Sequence, residues 1–496
     1  MNFSNSTTDK TESLRDTTAL TKQWETIDWK QAEDQVNRLQ IRIAKAAVEK
    51  NDNKVKRLQY LLTHSFYAKA LAVKKVTSNK GKYTSGVDKK LWSTSASKMK
   101  ATLSLTDKRY RAKPLRRVYI EKKGKKKKRP LGIPTMCDRA MQTLYALSLE
   151  PISEVRGDHV SFGFRKGRSA KDACEQIFCV LARKCSPQWI LEGDIKGCFD
   201  HINHEWLMEN IPMDKRVMTQ FLKSGFIYEG TLFPTEKGSP QGGAISSLYA
   251  NMTLEGIEKL IQDKYHRNSK GKIENHYRAK AKVNLVRYAD DFIITANSKE
   301  IAEELKMLVS EFLKNRGLEL SDEKTTVAHI DDGFDFLGWT FRKFKGKLII
   351  KPSKNSIKSL VRKLSTMILI EGKAHKQELL ISRLNSVIRG WTNYHKHAVS
   401  SKAFSYVNNI IYILLQRWAK HRHPNKSNWW RLNRYWHEMN GKPWVFRIEN
   451  IYLINLRTID IIRHPKLQIA RNPFTDEDYF VRRKFQLKTL AAARNG

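Results

Sequence analysis

Residues 285–295 read LVRYADDFIIT, an apolar run interrupted by the adjacent carboxylates Asp290 and Asp291. Branched and aromatic residues on both sides of the acids are typical of β-strands, and an Asp pair between them favours a tight turn. This run therefore predicts a β-hairpin with two acids at its tip. Asp pairs also occur in ordinary turns, so the hairpin alone does not define a site.

A second apolar run, WILEGD at residues 189–194, also ends in an acid, Asp194. If this strand pairs beside the hairpin, Asp194 meets Asp290 and Asp291. Clustered carboxylates raise one another's pKa, and cations relieve the repulsion. Oxygen ligands without His or Cys suit Mg²⁺, with Mn²⁺ as a substitute. Two such ions about 4 Å apart support in-line phosphoryl displacement, so the three acids predict a two-metal site.

Residues 116–133 contain two strand-like runs separated by a strongly basic segment, EKKGKKKKR. This pattern predicts a hairpin whose tip can reach phosphates. Lys122, Lys123 and Arg129 lie in or next to the tip, where they could clamp a triphosphate as charge-stabilising groups.

Residues 238–243 read GSPQGG and precede an apolar helical stretch. Glycines allow the backbone to approach a base pair closely, and the Gln241 amide can bond a base edge or backbone. The pattern predicts a loop that enters a helix next to the substrate.

The charge of the chain is strongly positive along its whole length. Lys and Arg number 92 against 50 Asp and Glu in 496 residues, a net charge of +42. Such a field attracts polyanions, and nucleic acid is the expected partner. The 40% hydrophobic content and 12 Trp imply large buried cores, which argues against a histone-like protein that binds by charge alone.

The cysteines and the hydropathy of the chain bear on its location. The five cysteines lie between Cys137 and Cys198 without the spacing of a zinc knuckle, which predicts reduced thiols. No apolar run approaches the roughly 18 residues that span a bilayer, and the N-terminus does not resemble a signal peptide. We therefore expect a bacterial cytoplasmic protein without a membrane partner.

The N-terminal part divides into two predicted regions. Residues 1–25 are rich in Ser and Thr, which predicts a disordered tail. Residues 26–80 contain basic amphipathic patterns, which predict one helix from Trp29 and a second around residues 55–76. We expect these helices to bind RNA, although a solvated face would look the same.

Helical periodicity marks several later segments. Apolar spacing predicts helices at about residues 139–151 and 298–316. Three further amphipathic stripes, at residues 357–368, 380–391 and 404–418, predict a separate helical domain. Beyond residue 424, four tryptophans alternate with basic residues, an arrangement that could pack a small core or stack bases: Trp429, Trp430, Trp436 and Trp444. We favour the core.

The order of these motifs resembles that of reverse transcriptases. The motifs are RPLGIP at 129–134, GSPQGG at 238–243, YADD at 288–291, ELSDEKT at 319–325 and FLGW at 336–339. Two more, SGVD at 85–88 and GFRKGRS at 163–169, are similar to those of bacterial group II intron-encoded reverse transcriptase/maturases. The resemblance covers roughly residues 25 to 475.

The resemblance implies an α+β right-hand polymerase. Residues 81–345 would form the fingers and palm, and residues 346–424 the helical thumb or maturase domain. RGWTNY at 389–394 resembles the thumb region. Residues 425–496 would form a basic C-terminal region that binds nucleic acid.

The resemblance also implies roles for the acids and their neighbours. Asp194, Asp290 and Asp291 match the catalytic metal ligands, and the carbonyl of Ile195 would add a further oxygen. Phe199 matches the aromatic gate that excludes a ribose 2′-hydroxyl, the group by which proteins distinguish RNA from DNA. An ordinary core Phe is the alternative.

Four further positions match dNTP-binding residues. Arg129 and either Lys122 or Lys123 match residues of the fingers that face the triphosphate. Gln241 matches a residue near the incoming nucleotide. Lys324 matches a basic position near the active centre, with a surface lysine as the alternative.

The expected partners are a structured RNA, a DNA primer or target, dNTPs and a second copy of the chain. The expected function is reverse transcription of a bound intron RNA, with roles in splicing and retrohoming of a mobile element. Many relatives end in a zinc-binding HNH endonuclease, which we do not expect here because no cysteine follows Cys198. The alternatives are a splicing-only RNA chaperone, a polymerase domesticated for antiviral defence or repair, and an RNA-templated RNA polymerase, which Phe199 argues against.

Overall fold

The computed structural model describes residues 6–121, 128–240, 242–268, 270–273, 280–439 and 441–492. The helices are α1 (Ser6–Glu25), α2 (Trp29–Val48), α3 (Asp52–His64), α4 (Phe66–Ser78), α5 (Ser95–Ser104), α6 (Met136–Arg156), α7 (Ala170–Leu181), α8 (Cys198–His201), α9 (His204–Asn210), α10 (Lys215–Leu222), α11 (Ser246–Thr253), α12 (Ile257–Tyr265), α13 (Lys299–Lys314), α14 (Lys354–Thr366), α15 (Gln377–His395), α16 (Ser401–Arg422), α17 (Asn428–Tyr435) and α18 (Glu477–Ala492). The strands are β1 (Leu115–Glu121), β2 (Lys128–Ile133), β3 (Trp189–Asp194), β4 (Phe226–Tyr228), β5 (Thr231–Phe233), β6 (Asn284–Tyr288), β7 (Asp291–Ala296), β8 (Thr326–His329), β9 (Phe334–Phe336), β10 (Trp339–Phe344), β11 (Lys347–Pro352), β12 (Trp436–Met439), β13 (Lys442–Ile448) and β14 (Ile451–Tyr452). Within the described residues, no helix is both long and apolar enough to cross a membrane.

The prediction of a disordered tail at residues 1–25 is wrong for residues 6–25, which form α1. Trp24 is buried, and its ring packs edge-on against Trp29 with centroids 5.0 Å apart. The hydroxyl of Ser95 on α5 donates to the Glu25 carboxylate at 3.1 Å. The prediction failed because the segment is rich in Ser and Thr, while only a few apolar residues such as Trp24 pack α1 against the core.

The helix predicted around residues 55–76 is two helices, α3 and α4. Ser65 separates them because its backbone is extended, with φ −65° and ψ 132°. Helices α2, α3 and α4 all pack on α6, whose buried face is the centre of the largest hydrophobic core. RNA binding by residues 26–80 stays a prediction.

The sheet that carries the acids has four antiparallel strands in the order β6-β7-β3-β8. Its central strands are buried on both faces, because alternate side chains point to opposite sides. Leu191 and Ile294 join the large core that includes α13, whereas Ile190 and Ile293 join a second core with α7. Cores on both faces hold the strand ends in place.

The predicted basic hairpin is present as β1 and β2, which pair antiparallel from Arg116 opposite Ile133 to Glu121 opposite Lys128. Its tip, residues 122–127, lies outside the described residues. Strand β1 also pairs in parallel with β4, so the hairpin belongs to a four-stranded sheet, β2-β1-β4-β5.

The thumb begins after the three-stranded sheet β9-β10-β11, which extends to Pro352, beyond the predicted boundary at 345. Helices α14, α15 and α16 share a third core with Trp436, Phe446 and Leu456. The predicted boundary at 424 is therefore not a packing boundary. Apolar residues on both sides of residue 424 bury one another.

The four C-terminal tryptophans divide between core and surface. Trp436 is buried, as the core interpretation predicts. Trp429, Trp430 and Trp444 are 63%, 37% and 44% exposed, so that interpretation is wrong for these three. The remainder of the chain returns to the palm, where Leu467 enters the core beside α7.

Candidate active site

The strand register brings the three predicted acids to one edge of the palm sheet. In the β3–β7 ladder Asp194 lies directly opposite Asp291, and in the β6–β7 hairpin Asp291 lies opposite Tyr288. Asp290 follows Ala289 in the turn, where the φ of Ala289 is +58°. The acids meet because β3 and the hairpin are adjacent strands.

The acids open into a cleft of about 690 Å³. Its lining includes the four other described residues that the sequence predicted: Arg129, Ile195, Phe199 and Lys324. The structure thus brings seven predicted residues together. The other three, Lys122, Lys123 and Gln241, lie outside the described residues, and their predicted roles stay predictions.

Desolvation beside the sheet and repulsion between neighbouring carboxylates disfavour the charged forms of Asp290 and Asp291. Burial raises the pKa of Asp291 to about 7, with further contributions from Asp290 and Asp194. Burial followed by the Asp194 charge likewise raises the pKa of Asp290. The Lys324 ammonium forms an ion pair with Asp194 and opposes both shifts. A positive charge placed at this edge of the sheet would therefore stabilise the ionised carboxylates.

The donor set fits a divalent cation in its chemistry. Three carboxylates supply oxygen ligands, which Mg²⁺ prefers, and the raised pKa values show repulsion that a cation would relieve. Within the part of the chain that the structure describes, no three His, Cys, Asp or Glu side chains are already arranged around a metal position. Lys324 holds Asp194 instead. The assignment of the acids as metal ligands stays a prediction.

The loop that contains GSPQGG is fastened to the Phe199 segment. The Ser239 amide donates to the Phe199 carbonyl at 2.6 Å, and the Gly238 amide donates to the Ile202 carbonyl at 2.8 Å. Gly238 has φ +84°, and a Cβ there would lie 2.6 Å from the carbonyl oxygen of Asp200. Phe199 is half-buried, so its ring packs on the core and also lines the cleft.

A loop after α13 completes the opposite wall. The Ser321 amide donates to the Asp194 carbonyl at 2.8 Å, which places Lys324 above the acids. Asp322 and Glu323 also line the cleft, as does Asp200. Sequence reasoning assigned no role to these three acids, although the ELSDEKT motif contains two of them.

Fold and site together define a polymerase of the reverse transcriptase class. The family profile "Reverse transcriptase (RNA-dependent DNA polymerase)" matches residues 120–341, and "N-terminal domain of reverse transcriptase" matches residues 24–105. "Group II intron, maturase-specific domain" matches residues 357–436. This match extends past the predicted domain boundary at residue 424, as does the third hydrophobic core.

The chain belongs to the group II intron-encoded reverse transcriptase/maturase family. It is 32% identical to the group II intron-encoded protein LtrA of Lactococcus lactis subsp. cremoris over 461 residues, covering 75% of each chain. It is 30% identical to protein YkfC of Escherichia coli K12 over 337 residues, covering 61% of this chain and 87% of YkfC. A telomerase from Candida albicans, solved with a fragment of telomeric RNA, aligns over 68% of this chain and 64% of that one, with 12% identity and a TM-score of 0.37.

These findings confirm the predicted family, the right-hand polymerase fold and the reverse transcriptase/maturase function. As a member of this family the protein is a nucleotidyltransferase that depends on divalent metal and binds RNA.

Proposed function

We propose that the protein copies a bound structured RNA into DNA with two Mg²⁺ ions held by Asp194, Asp290 and Asp291. The observation that carries this proposal is the register of β3 against β7, which sets Asp194 opposite Asp291 beside the turn that holds Asp290. Two basic residues, Arg129 and Lys324, line the same cleft.

Each part of the cleft has a task in nucleotide addition. Divalent ions bound there would activate the primer 3′-hydroxyl and stabilise charge on the leaving pyrophosphate oxygen. Asp194 and Asp291 lie opposite each other on paired strands, so their carboxylates would hold the ions, and the Ile195 carbonyl would add a further oxygen. Arg129 binds the triphosphate of a dNTP, and Lys122 or Lys123 assists from the hairpin tip. Mn²⁺ substitutes for Mg²⁺.

The partners follow from charge and family. A net charge of +42 suits a long phosphate backbone, and the maturase domain suits a folded intron RNA that serves as both splicing substrate and template. A DNA strand supplies the primer, which connects the enzyme to intron mobility. A homodimer is also proposed, and sedimentation velocity with and without RNA would test it.

Primer extension on an RNA template tests the assignment of the acids. We expect Asp290→Asn and Asp291→Asn to abolish dNTP incorporation with either Mg²⁺ or Mn²⁺ while RNA binding persists. Glu323→Gln is the matched control because Glu323 is an exposed acid in the same cleft, and it should retain activity. Full extension by either Asn variant would refute the site.

Thermal unfolding gives a second test. Although the Asp291 side chain is exposed to the cleft, partial desolvation and the neighbouring acids raise its pKa, so its charged form lowers the stability of the fold, by an amount that solvent reduces. In the presence of a chelator we expect Asp291→Asn to unfold at a higher temperature than the wild type. Adding Mg²⁺ should stabilise the wild type and have little effect on the variant. A variant that is less stable in chelator, yet equally stabilised by Mg²⁺, would contradict the proposal.

A further inference from the structure

The turn that carries the two adjacent acids rests on a segment outside the hairpin. The Arg287 amide donates to the Val160 carbonyl at 3.0 Å, and the Phe162 amide donates to the Arg287 carbonyl at 2.8 Å. Gly163 follows, and a Cβ on it would lie only 2.3 Å from the Ala289 nitrogen. Any larger residue at 163 would displace the peptide that precedes Asp290.

The side chain of Arg287 supports the same peptide from within the protein. Its Nη1 donates to the Ala289 carbonyl at 3.2 Å and to Asn251 Oδ1 at 3.3 Å. Asn251, on α11, donates from Nδ2 to the Gly163 carbonyl at 2.8 Å. These contacts connect the hairpin, α11 and Gly163 behind the acids.

The conformation at Ala289 explains why such support is useful. Its φ of +58° lies in the left-handed region, which is unfavourable for a non-glycine residue because its Cβ comes too close to the following carbonyl oxygen. A residue in that region persists only where its surroundings hold it there. The hydrogen bond to the Ala289 carbonyl and the close contact of Gly163 provide that restraint.

The guanidinium of Arg287 is buried, and burying a charged group is unfavourable unless it gains specific partners. Arg287 is 1% exposed, and burial disfavours its charge, while Asp158 and Glu255 favour it. A well-packed apolar side chain is often as stable or more stable at such a position. An apolar residue could replace neither its hydrogen bond to the Ala289 carbonyl nor its hydrogen bond to Asn251.

We propose that Arg287 is a positioning residue for reverse transcription, which with Asn251 and Gly163 orients the Ala289 peptide so that Asp290 and Asp291 project into the cleft. The inference rests on the proposed function of these two acids. Loss of this support should lower kcat and raise the Mg²⁺ concentration for half-maximal activity, while RNA affinity and the KM for dNTP change little.

Three variants test the proposal at temperatures well below their unfolding transitions. Arg287→Met should lower kcat by about 100-fold, the scale expected for a misplaced catalytic group. Arg287→Lys keeps the charge and should lose less, about 10-fold. Asn251→Ala removes the hydrogen-bond partner of Arg287 without leaving a buried acid unpaired. This variant should also raise the Mg²⁺ concentration for half-maximal activity.

Arg139→Lys is the matched control. Arg139 is another buried arginine, but it donates to the Pro134 carbonyl at 3.0 Å and to the Gly81 carbonyl at 2.9 Å rather than to the turn or to residues 160–163. This variant should keep the wild-type kcat and Mg²⁺ dependence. An equal loss in Arg139→Lys would mean general destabilisation and would overturn the inference.

The outcomes separate this inference from the function on which it rests. If Asp290→Asn and Asp291→Asn remain active, the proposed site fails. If those variants are inactive while Arg287→Lys and Asn251→Ala keep the wild-type kcat and Mg²⁺ dependence, the site stands and Arg287 has no positioning role. Should Arg287→Met not fold, Arg287→Lys and Asn251→Ala decide the question.

Discussion

The acidic and basic residues of the cleft differ in how strongly the surrounding structure fixes their positions. Asp194 and Asp291 are set by the backbone register of two buried strands. Arg129 and Lys324, in contrast, are exposed side chains that reach over the acids. The backbone therefore fixes the positions of the acids, whereas packing constrains the two basic side chains less.

Phe199 provides a test at this scale. The ring is half-buried and lines the cleft, where we expect a sugar 2′-hydroxyl to contact it. We expect Phe199→Val to lower the preference for dNTP over NTP by at least about 10-fold, because removing a steric clash of this kind is worth a kcal/mol or more. Single-nucleotide extension with matched dNTP and NTP measures the ratio of kcat/KM.

Phe233→Ala is the control for Phe199→Val, since Phe233 is an exposed aromatic on β5 away from the cleft. It should leave the preference unchanged. An unaltered dNTP preference in a folded Phe199→Val variant would favour the alternative of an ordinary core phenylalanine.

At the scale of elements, the pairing of β3 with β7 decides the distance between the acids. Gly193 lies opposite Phe292, and a Cβ on Gly193 would lie 2.1 Å from the Phe292 ring. Gly193→Ala must therefore displace the buried Phe292 ring or push the two strands apart next to Asp194. We expect a loss of about 1–3 kcal/mol in the free energy of unfolding, together with reduced extension activity.

Gly390→Ala is a suitable comparison because it makes the same change in α15, where nothing lies within 4 Å of the added Cβ. It should stabilise the protein by about 0.5–1 kcal/mol, since alanine favours helix more than glycine does. Urea unfolding measures both changes. Equal effects at the two positions would contradict a steric clash between residue 193 and the Phe292 ring.

At the scale of the whole molecule, the C-terminal segment connects back to the palm. Asp172 on α7 forms an ion pair with Arg483 and a hydrogen bond with His464 Nε2, and all three side chains are buried. Although burial opposes it, the hydrogen bond from His464 and the charge of Arg483 lower the pKa of Asp172 below its usual value. Phe480 also packs against Gly167 of the GFRKGRS motif.

Removing this anchor should loosen the C-terminal segment. Asp172→Ala leaves two buried basic groups without their partner, and breaking such a pair costs about 3–5 kcal/mol. We expect faster protease cleavage between residues 460 and 492. Glu49→Gln removes an exposed ion pair with Lys54 and should change little. Equal protection in the two variants would show that Asp172 does not anchor the segment.

Residue type and local pattern were enough to predict the acidic hairpin, the second acidic strand, the basic hairpin and the family. These features depend on neighbours close in the chain, so the sequence alone determined them. Packing between distant segments decided the rest: Asp194 opposite Asp291, Lys324 on Asp194, Arg287 beneath the turn, and the return of the C-terminal segment to α7. No local pattern encodes those contacts, because each depends on how whole elements bury one another.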